Sequence, residues 1–182
     1  DFSGTGTVDG ASIFGGGGDD TLDFENTGAS SELVIKGNSG DDLIYGSDDT
    51  AKETIYGGIG DDSIDSDSGN SARSYYGDKG DDVIAIASNN KSSLISGGEG
   101  DDSLTIDTVA QRFVDGGSDV KGDTYHTITG GAGEDTITVT GQALGTLILK
   151  VQPNATRLTY ANFAEFFAEG DIVDRIEITD YT

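Results

Sequence analysis

The feature that most constrains this chain is a six-residue loop that recurs six times with little change. The copies are Gly15-Gly-Gly-Gly-Asp-Asp20, Gly37-Asn-Ser-Gly-Asp-Asp42, Gly57-Gly-Ile-Gly-Asp-Asp62, Gly77-Asp-Lys-Gly-Asp-Asp82, Gly97-Gly-Glu-Gly-Asp-Asp102 and Gly130-Gly-Ala-Gly-Glu-Asp135. The first five begin at Gly15, Gly37, Gly57, Gly77 and Gly97, and so keep a nearly constant interval. A period of about 20 residues marks a solenoid, whose coils bury apolar surface only by stacking on their neighbours.

Two apolar columns keep time with the loops. Two places after the last acid stand Leu22, Ile44, Ile64, Ile84, Leu104 and Ile137; two places before the first glycine stand Ile13, Ile35, Ile55, Tyr75, Ile95, Val114 and Ile128. The segments around them, such as Ser103-Leu-Thr-Ile-Asp107, alternate with strand period and are rich in β-branched residues. Each coil therefore reads as acidic turn, short strand, variable polar turn, short strand. One inward residue per strand buries little area, but the same position one coil on lies about 4.8 Å away, so stacking builds a narrow apolar spine between two parallel sheets. By alternation Phe14, Lys36, Tyr56, Tyr76, Ser96, Asp115 and Thr129 face outward, which makes Tyr56 and Tyr76 a surface ladder. The expected fold is all-β: a parallel β-solenoid with coils of about 20 residues. It should occupy residues 1–140 and be closed by a C-terminal cap over 141–182.

Composition agrees with a thin core. The 182 residues include 29 glycines, one proline and no tryptophan, methionine or cysteine. With 34 acids against 10 bases the formal charge is −24, which opposes compaction and repels nucleic acid and anionic membranes. No disulfide and no thiolate metal site is available, and no apolar run is long enough to span a bilayer. Starting at Asp1, the chain reads as a processed product or a piece of a longer one.

Glycines in the loop permit positive φ and let its carbonyl oxygens point one way. Oxygen is therefore what each turn offers, and hard cations such as Ca²⁺ take 6–8 oxygens from carboxylates and carbonyls. Stacked turns bring the last aspartate and the carbonyls of one loop beside those of the next, so each loop is half of a site that its neighbour completes. Without cations, columns of carboxylates at strand spacing repel by roughly 1 kcal/mol per pair even in water. Folding is expected to need the metal.

The stretches 15–23, 57–65 and 97–105 resemble the nonapeptide Gly-Gly-x-Gly-x-Asp-x-U-x of RTX proteins, U being large and apolar. The resemblance covers roughly residues 1 to 140. It implies a right-handed parallel β-roll, exported by type I secretion from a Gram-negative bacterium and folded by extracellular Ca²⁺. Carried over, it makes the sixth-place Asp20, Asp42, Asp62, Asp82, Asp102 and Asp135 side-chain ligands. Carbonyl ligands would come from the first places, Gly15, Gly37, Gly57, Gly77, Gly97 and Gly130, and from the third places, Gly17, Ser39, Ile59, Lys79, Glu99 and Ala132. The fifth-place Asp19, Asp41, Asp61, Asp81 and Asp101 are assigned to charge tuning or contact through water.

Departures from the family pattern matter. Variable segments such as 47–54 and 87–93 stand where every second nonapeptide would be, so metal is expected mainly along one edge. Asn38 and Asp78 replace the second glycine. The segment 116–123 looks like an interrupted motif, and the next loop starts out of step at Gly130, so the phase should be lost there, leaving sites at Asp119 and Asp123 doubtful. Near the start, residues 4–14 read as the tail of an earlier coil, so further repeats or another subunit should cover that end. Toward the other end, 145–151 reads as a strand, 160–168 has helix-compatible aromatic spacing, and 171–180 returns to strand alternation; the region is a cap, a secretion signal, or both.

His126, the only histidine, has no evident nucleophile or orienting partner and reads as structural. Residues 65–70 resemble the start of an EF-hand loop without its closing glutamate and read as a solvated turn. Arg73, Arg112, Arg157 and Arg175 are scattered, so no enzyme is expected. The function expected is a secreted, Ca²⁺-stiffened structural protein that self-associates into an extracellular coat, such as a surface layer, or a filament. The alternative is a repeat module of an adhesin, with a cell-surface glycan as partner, or of a larger exported hydrolase or toxin. Neither nucleic acid binding nor membrane insertion is expected.

Overall fold

The computed structural model describes residues 1–8, 10–28, 31–47, 52–66, 73–88, 93–108, 125–141, 146–151, 156–160 and 175–180. Their strands, numbered in chain order, are β1 (Phe2–Ser3), β2 (Gly6–Thr7), β3 (Ser12–Gly17), β4 (Thr21–Asp23), β5 (Thr27–Gly28) and β6 (Leu33–Ser39). Then come β7 (Leu43–Tyr45), β8 (Glu53–Ile59), β9 (Ser63–Ser66), β10 (Arg73–Lys79), β11 (Val83–Ser88) and β12 (Ser93–Glu99). The last are β13 (Ser103–Thr108), β14 (Tyr125–Ala132), β15 (Asp135–Gly141), β16 (Thr146–Val151), β17 (Thr156–Tyr160) and β18 (Arg175–Asp180). No helix occurs among the described residues.

The strands form two eight-stranded parallel sheets, β1-β4-β7-β9-β11-β13-β15-β17 and β3-β6-β8-β10-β12-β14-β16-β18, with a small pair β2-β5 at one side. This is the expected parallel β-solenoid. Residues one coil apart pair directly: Ile35 with Ile55, Ile55 with Tyr75, Tyr75 with Ile95 in one sheet, and Ile44 with Ile64, Ile64 with Ile84, Ile84 with Leu104 in the other. Both apolar columns are buried as expected, and Phe24, Leu33, Ile86 and Ile106 extend them. Ile13 packs at the rim, and Val114 lies outside the described residues. Each such Leu or Ile contributes roughly 1.5–3 kcal/mol on burial.

Three features differ from expectation. First, β6, β8, β10 and β12 run through the third place of the loop, so only its last three residues make the turn. The first glycine continues the inward-outward alternation as a buried strand residue, as Leu33, Ile35 and Gly37 show. Second, phase survives the 109–124 insertion. Although the step from Gly97 to Gly130 is longer than any before it, β14 stacks on β12 in register, Gly98 opposite Gly131 and Glu99 opposite Ala132. The segment 116–123, with Asp119 and Asp123, lies outside the described residues. Third, Arg73 is not a scattered surface base. Its guanidinium is 3.1 Å from Glu53 Oε2 with both side chains buried, and its Nη1 also donates to Ser66 Oγ at 3.0 Å. The Tyr75 hydroxyl donates to the same Oγ at 2.9 Å, and the Ser47 amide donates to Glu53 Oε1.

Within 141–182, β16, β17 and β18 prolong both sheets, β18 at the end of its sheet. The stretch with helix-compatible aromatics, 161–168, lies outside the described residues, as do most of 65–70.

Candidate metal centre

Each acidic turn is built on a fourth-place glycine with positive φ, from 94° at Gly18 to 139° at Gly133. From Gly40 onward, a Cβ there would drive into the fourth-place carbonyl of the preceding coil. This close approach lets the turns stack like the strands they join. Their backbone follows a fixed pattern: the fourth-place amide donates to the third-place carbonyl one coil on, as Gly60 to Lys79 and Gly80 to Glu99, both at 2.8 Å.

The two acids of each turn then bond the coils in opposite directions. Sixth-place amides donate to the sixth-place carboxylate of the following coil: Asp20 to Asp42, Asp42 to Asp62 and Asp62 to Asp82 at 2.8 Å, Asp82 to Asp102 at 2.9 Å, Asp102 to Asp135 at 3.1 Å. Fifth-place amides donate to the fifth-place carboxylate of the preceding coil: Asp41 to Asp19 at 3.0 Å, Asp61 to Asp41 and Asp81 to Asp61 at 2.9 Å, Asp101 to Asp81 at 2.8 Å, Glu134 to Asp101 at 2.7 Å. The fifth-place row is exposed, the sixth-place row buried from Asp42 onward. Sequence reasoning missed these paired ladders. Their only sequence signal is the doubled acid itself, since one carboxylate would suffice for a ligand.

Each buried sixth-place carboxylate commits one oxygen to the ladder and leaves the other bare. Oδ2 of Asp42, Asp62, Asp82, Asp102 and Asp135 is buried without a hydrogen-bond partner. Five orphaned oxygens in register are outside what a fold tolerates as accident, because nearly every buried polar atom is bonded. Burial pushes the carboxyls of Asp62, Asp82 and Asp102 up to about 7, the neighbouring carboxylates adding to it and the donated backbone hydrogen bond opposing it. Asp42 and Asp135 shift upward for the same leading reason. Asp20 stands apart: it is only partly buried, and its Oδ1 accepts from the Asp1 amino group at 3.1 Å.

The orphaned oxygens face the first glycines. A Cβ built on Gly77 would meet Asp82 Oδ2 inside contact distance and the Gly97 carbonyl oxygen at 2.6 Å; on Gly37 it would meet Asp42 Oδ2 and the Gly57 carbonyl, on Gly97 Asp102 Oδ2 and the Gly130 carbonyl. On Gly15 the corresponding distances are 3.0 Å to Asp20 Oδ2 and 2.8 Å to the Gly37 carbonyl. The missing side chain thus leaves a cradle bordered by one loop's carboxylate and the next loop's carbonyl. The structure brings first and sixth places together across coils. The third-place carbonyls of Ser39, Ile59, Lys79, Glu99 and Ala132 each already accept a backbone hydrogen bond and keep one lone pair.

This donor set fits Ca²⁺ better than softer metals. It is all oxygen, one of its members is an unneutralised buried carboxylate, and the chain has no cysteine. Among the described residues no three His, Cys, Asp or Glu side chains converge on one point. At the described turns most ligands would therefore be backbone carbonyls.

A family model described as RTX calcium-binding nonapeptide repeat (4 copies) matches residues 12–26, 34–50, 53–71, 88–105 and 127–141. No curated protein and no solved structure matches the chain. Each matched stretch contains one complete acidic loop, and the loop at 77–82 falls between two of them.

Proposed function

This chain carries RTX calcium-binding nonapeptide repeats, and from that premise we propose an extracellular structural protein whose coils are locked by Ca²⁺ and which assembles with copies of itself into a coat or filament. The observation that carries the reading is the column of five buried Oδ2 atoms without partners. When bound, a divalent cation supplies the positive charge that this column lacks. Asp42, Asp62, Asp82, Asp102 and Asp135 would hold it from the side chain, with the first-place carbonyls as neighbours. The chain's own part is to place these oxygens: glycine at the first place clears the volume, and the amide-to-Oδ1 bond fixes each carboxylate so that Oδ2 points inward.

An apolar spine one or two residues wide is a weak core for 182 residues of charge −24. Neutralising the buried column converts that weakness into rigidity along the stack, which suits a stiff or space-filling element better than a catalyst. RTX repeats typify proteins exported by type I secretion, and extracellular Ca²⁺ would separate an extended chain in transit from a folded one outside. Catalysis forms no part of this proposal.

Far-ultraviolet circular dichroism with Ca²⁺ and with chelator tests the folding half. Strand signal should rise on Ca²⁺ addition and the response should be lost when Asp62 and Asp82 are both changed to Ala. Equal strand signal in chelator, with the variant folding like the parent, rejects the metal assignment. Electron microscopy tests assembly: ordered arrays should appear with Ca²⁺ and disperse with chelator, and a protein that stays monomeric at high concentration in Ca²⁺ rules the coat out.

A further inference from the structure

The outer face of the second sheet carries an open groove of about 480 Å³; it shares Gly57, Ile59, Lys79 and Glu99 with the turn sites, which would use only their backbone carbonyls and leave the side chains free to line it. Its floor is the backbone of Gly58, one of the second-place residues that stack as Gly16, Asn38, Gly58, Asp78, Gly98 and Gly131. All of these have positive φ, and Asn38 (83°) and Asp78 (79°) are the non-glycine residues that do so among those described. A side chain in that conformation is disfavoured where glycine is not. Asn38 and Asp78 thus stand one coil to either side of Gly58, whose own Cβ would run into the Asn38 backbone, and they put two polar side chains where the other coils have glycine.

The walls are fixed in place. Tyr56 stacks on Tyr76 with centroids 4.9 Å apart and planes 10° off parallel, and the Lys36 ammonium lies 4.9 Å from the Tyr56 centroid. Ile59, 60% exposed, also lines the groove, next to Lys79 of the following coil, which forms a surface ion pair with Glu99 at 3.1 Å. Such an exposed pair contributes little to stability. The charged residues around the groove are Lys36, Lys79, Asp78 and Glu99, two of each sign, on a protein of charge −24.

That local neutrality selects the ligand. An anion would meet the exposed fifth-place carboxylates nearby, and a cation has better sites in the turns. What the lining can hold is an uncharged molecule with many hydroxyls and apolar C–H faces. The amide of Asn38 and the carboxylate of Asp78 donate to and accept from hydroxyls, and the edge of Tyr56 and the side chain of Ile59 receive the apolar faces. We propose that this groove binds a neutral oligosaccharide, held between Asn38 and Asp78 about two strand spacings (~9.6 Å) apart.

The test uses the full chain loaded with Ca²⁺ and three neutral probes, cellotriose, maltotriose and N,N′,N″-triacetylchitotriose, against an anionic hyaluronan tetrasaccharide. Isothermal titration calorimetry reads affinity, and in a chain with 7 tyrosines and no tryptophan the part of a fluorescence change that Tyr56→Ala abolishes reports on the groove. At least one neutral trisaccharide should bind with Kd below about 10 mM. Asp78→Gly should lower that affinity at least tenfold, or about 1.4 kcal/mol, while the melting temperature holds or rises and the Ca²⁺-induced dichroism is unchanged. Tyr56→Ala should weaken binding as well. The proposal is overturned if none of the neutral probes binds, if the hyaluronan fragment binds in preference, or if Asp78→Gly leaves affinity intact. Because Ca²⁺-induced folding is read separately, failure here leaves the calcium reading untouched, and failure of the calcium reading shows first in the dichroism.

Discussion

An aspartate whose second oxygen meets no donor is far more costly inside a protein than at its surface. Asp82 illustrates what the sixth place asks for: Oδ1 accepts the Asp62 amide at 2.8 Å, and Oδ2 is bare on the side of the Gly97 carbonyl. Replacing it with asparagine keeps the acceptor, removes the charge and turns the bare acceptor into a donor. Asp82→Asn should therefore stabilise the metal-free protein by roughly 1–2 kcal/mol and at the same time weaken Ca²⁺ binding, opposite signs that thermal melts with and without chelator will separate. A purely structural aspartate would lose stability in both conditions. The first glycine makes a complementary demand. Gly77→Ala places a methyl against Asp82 Oδ2 and the Gly97 carbonyl, and it should cost about 1–3 kcal/mol with or without Ca²⁺, measured by the same melts.

At the scale of strands and coils, the solenoid was legible where two periods coincide, alternation within a strand and repetition from coil to coil. Ile35, Ile55, Tyr75 and Ile95 satisfy both and stack as expected. The acidic loops were legible for the same reason. What escaped were features in which one cue outweighs another. Gly37, Gly57 and Gly77 read as turn because glycine punctuates most chains, yet the alternation of Leu33 and Ile35 carries on through Gly37. The long interval before Gly130 suggested broken phase, but strand register depends on which residues pair, not on how many separate them in sequence, and β14 pairs with β12 in step. Glu53 and Arg73 were passed over because charged residues are usually exposed, although each stands two places before a core residue, Ile55 or Tyr75, and so faces inward by the very rule that found the core. Their buried pair, next to Ser66 and Tyr75, ties two coils together through charge. Arg73→Met should deprive the buried Glu53 of its Arg73 ion pair and cost roughly 3–5 kcal/mol, whereas Glu53→Gln combined with Arg73→Met should cost much less than the sum of the single changes. Denaturant titration of the three variants measures that coupling, and additive losses would show the pair to be independent.

Across the whole molecule the buried column links folding to protons as well as to metal. Asp62, Asp82 and Asp102 are raised from 3.8 to about 7 in the fold, chiefly by burial. Between those values the metal-free folded state holds more protons than the unfolded one, so the free energy of unfolding falls as pH rises. The contribution of these carboxyls is fully present below about pH 3.8 and is lost as pH rises through about 7. Acid should therefore stand in for the cation: in chelator the protein should resist denaturant better at pH 5 than at pH 8, contrary to most proteins whose acids are paired. Bound Ca²⁺ requires the carboxylates ionised, so the dependence inverts, with Ca²⁺ affinity rising through the same window. Binding near pH 6.5 should then release protons, detectable as a dependence of calorimetric enthalpy on the ionisation enthalpy of the buffer. The pH dependence of the metal-free protein should flatten in a variant with Asp62→Asn, Asp82→Asn and Asp102→Asn together, since these three carry large shifts and occupy successive rungs. If that variant kept the parent's slope, the protons would belong to other groups, and the buried column would no longer account for the proposed dependence of folding on Ca²⁺.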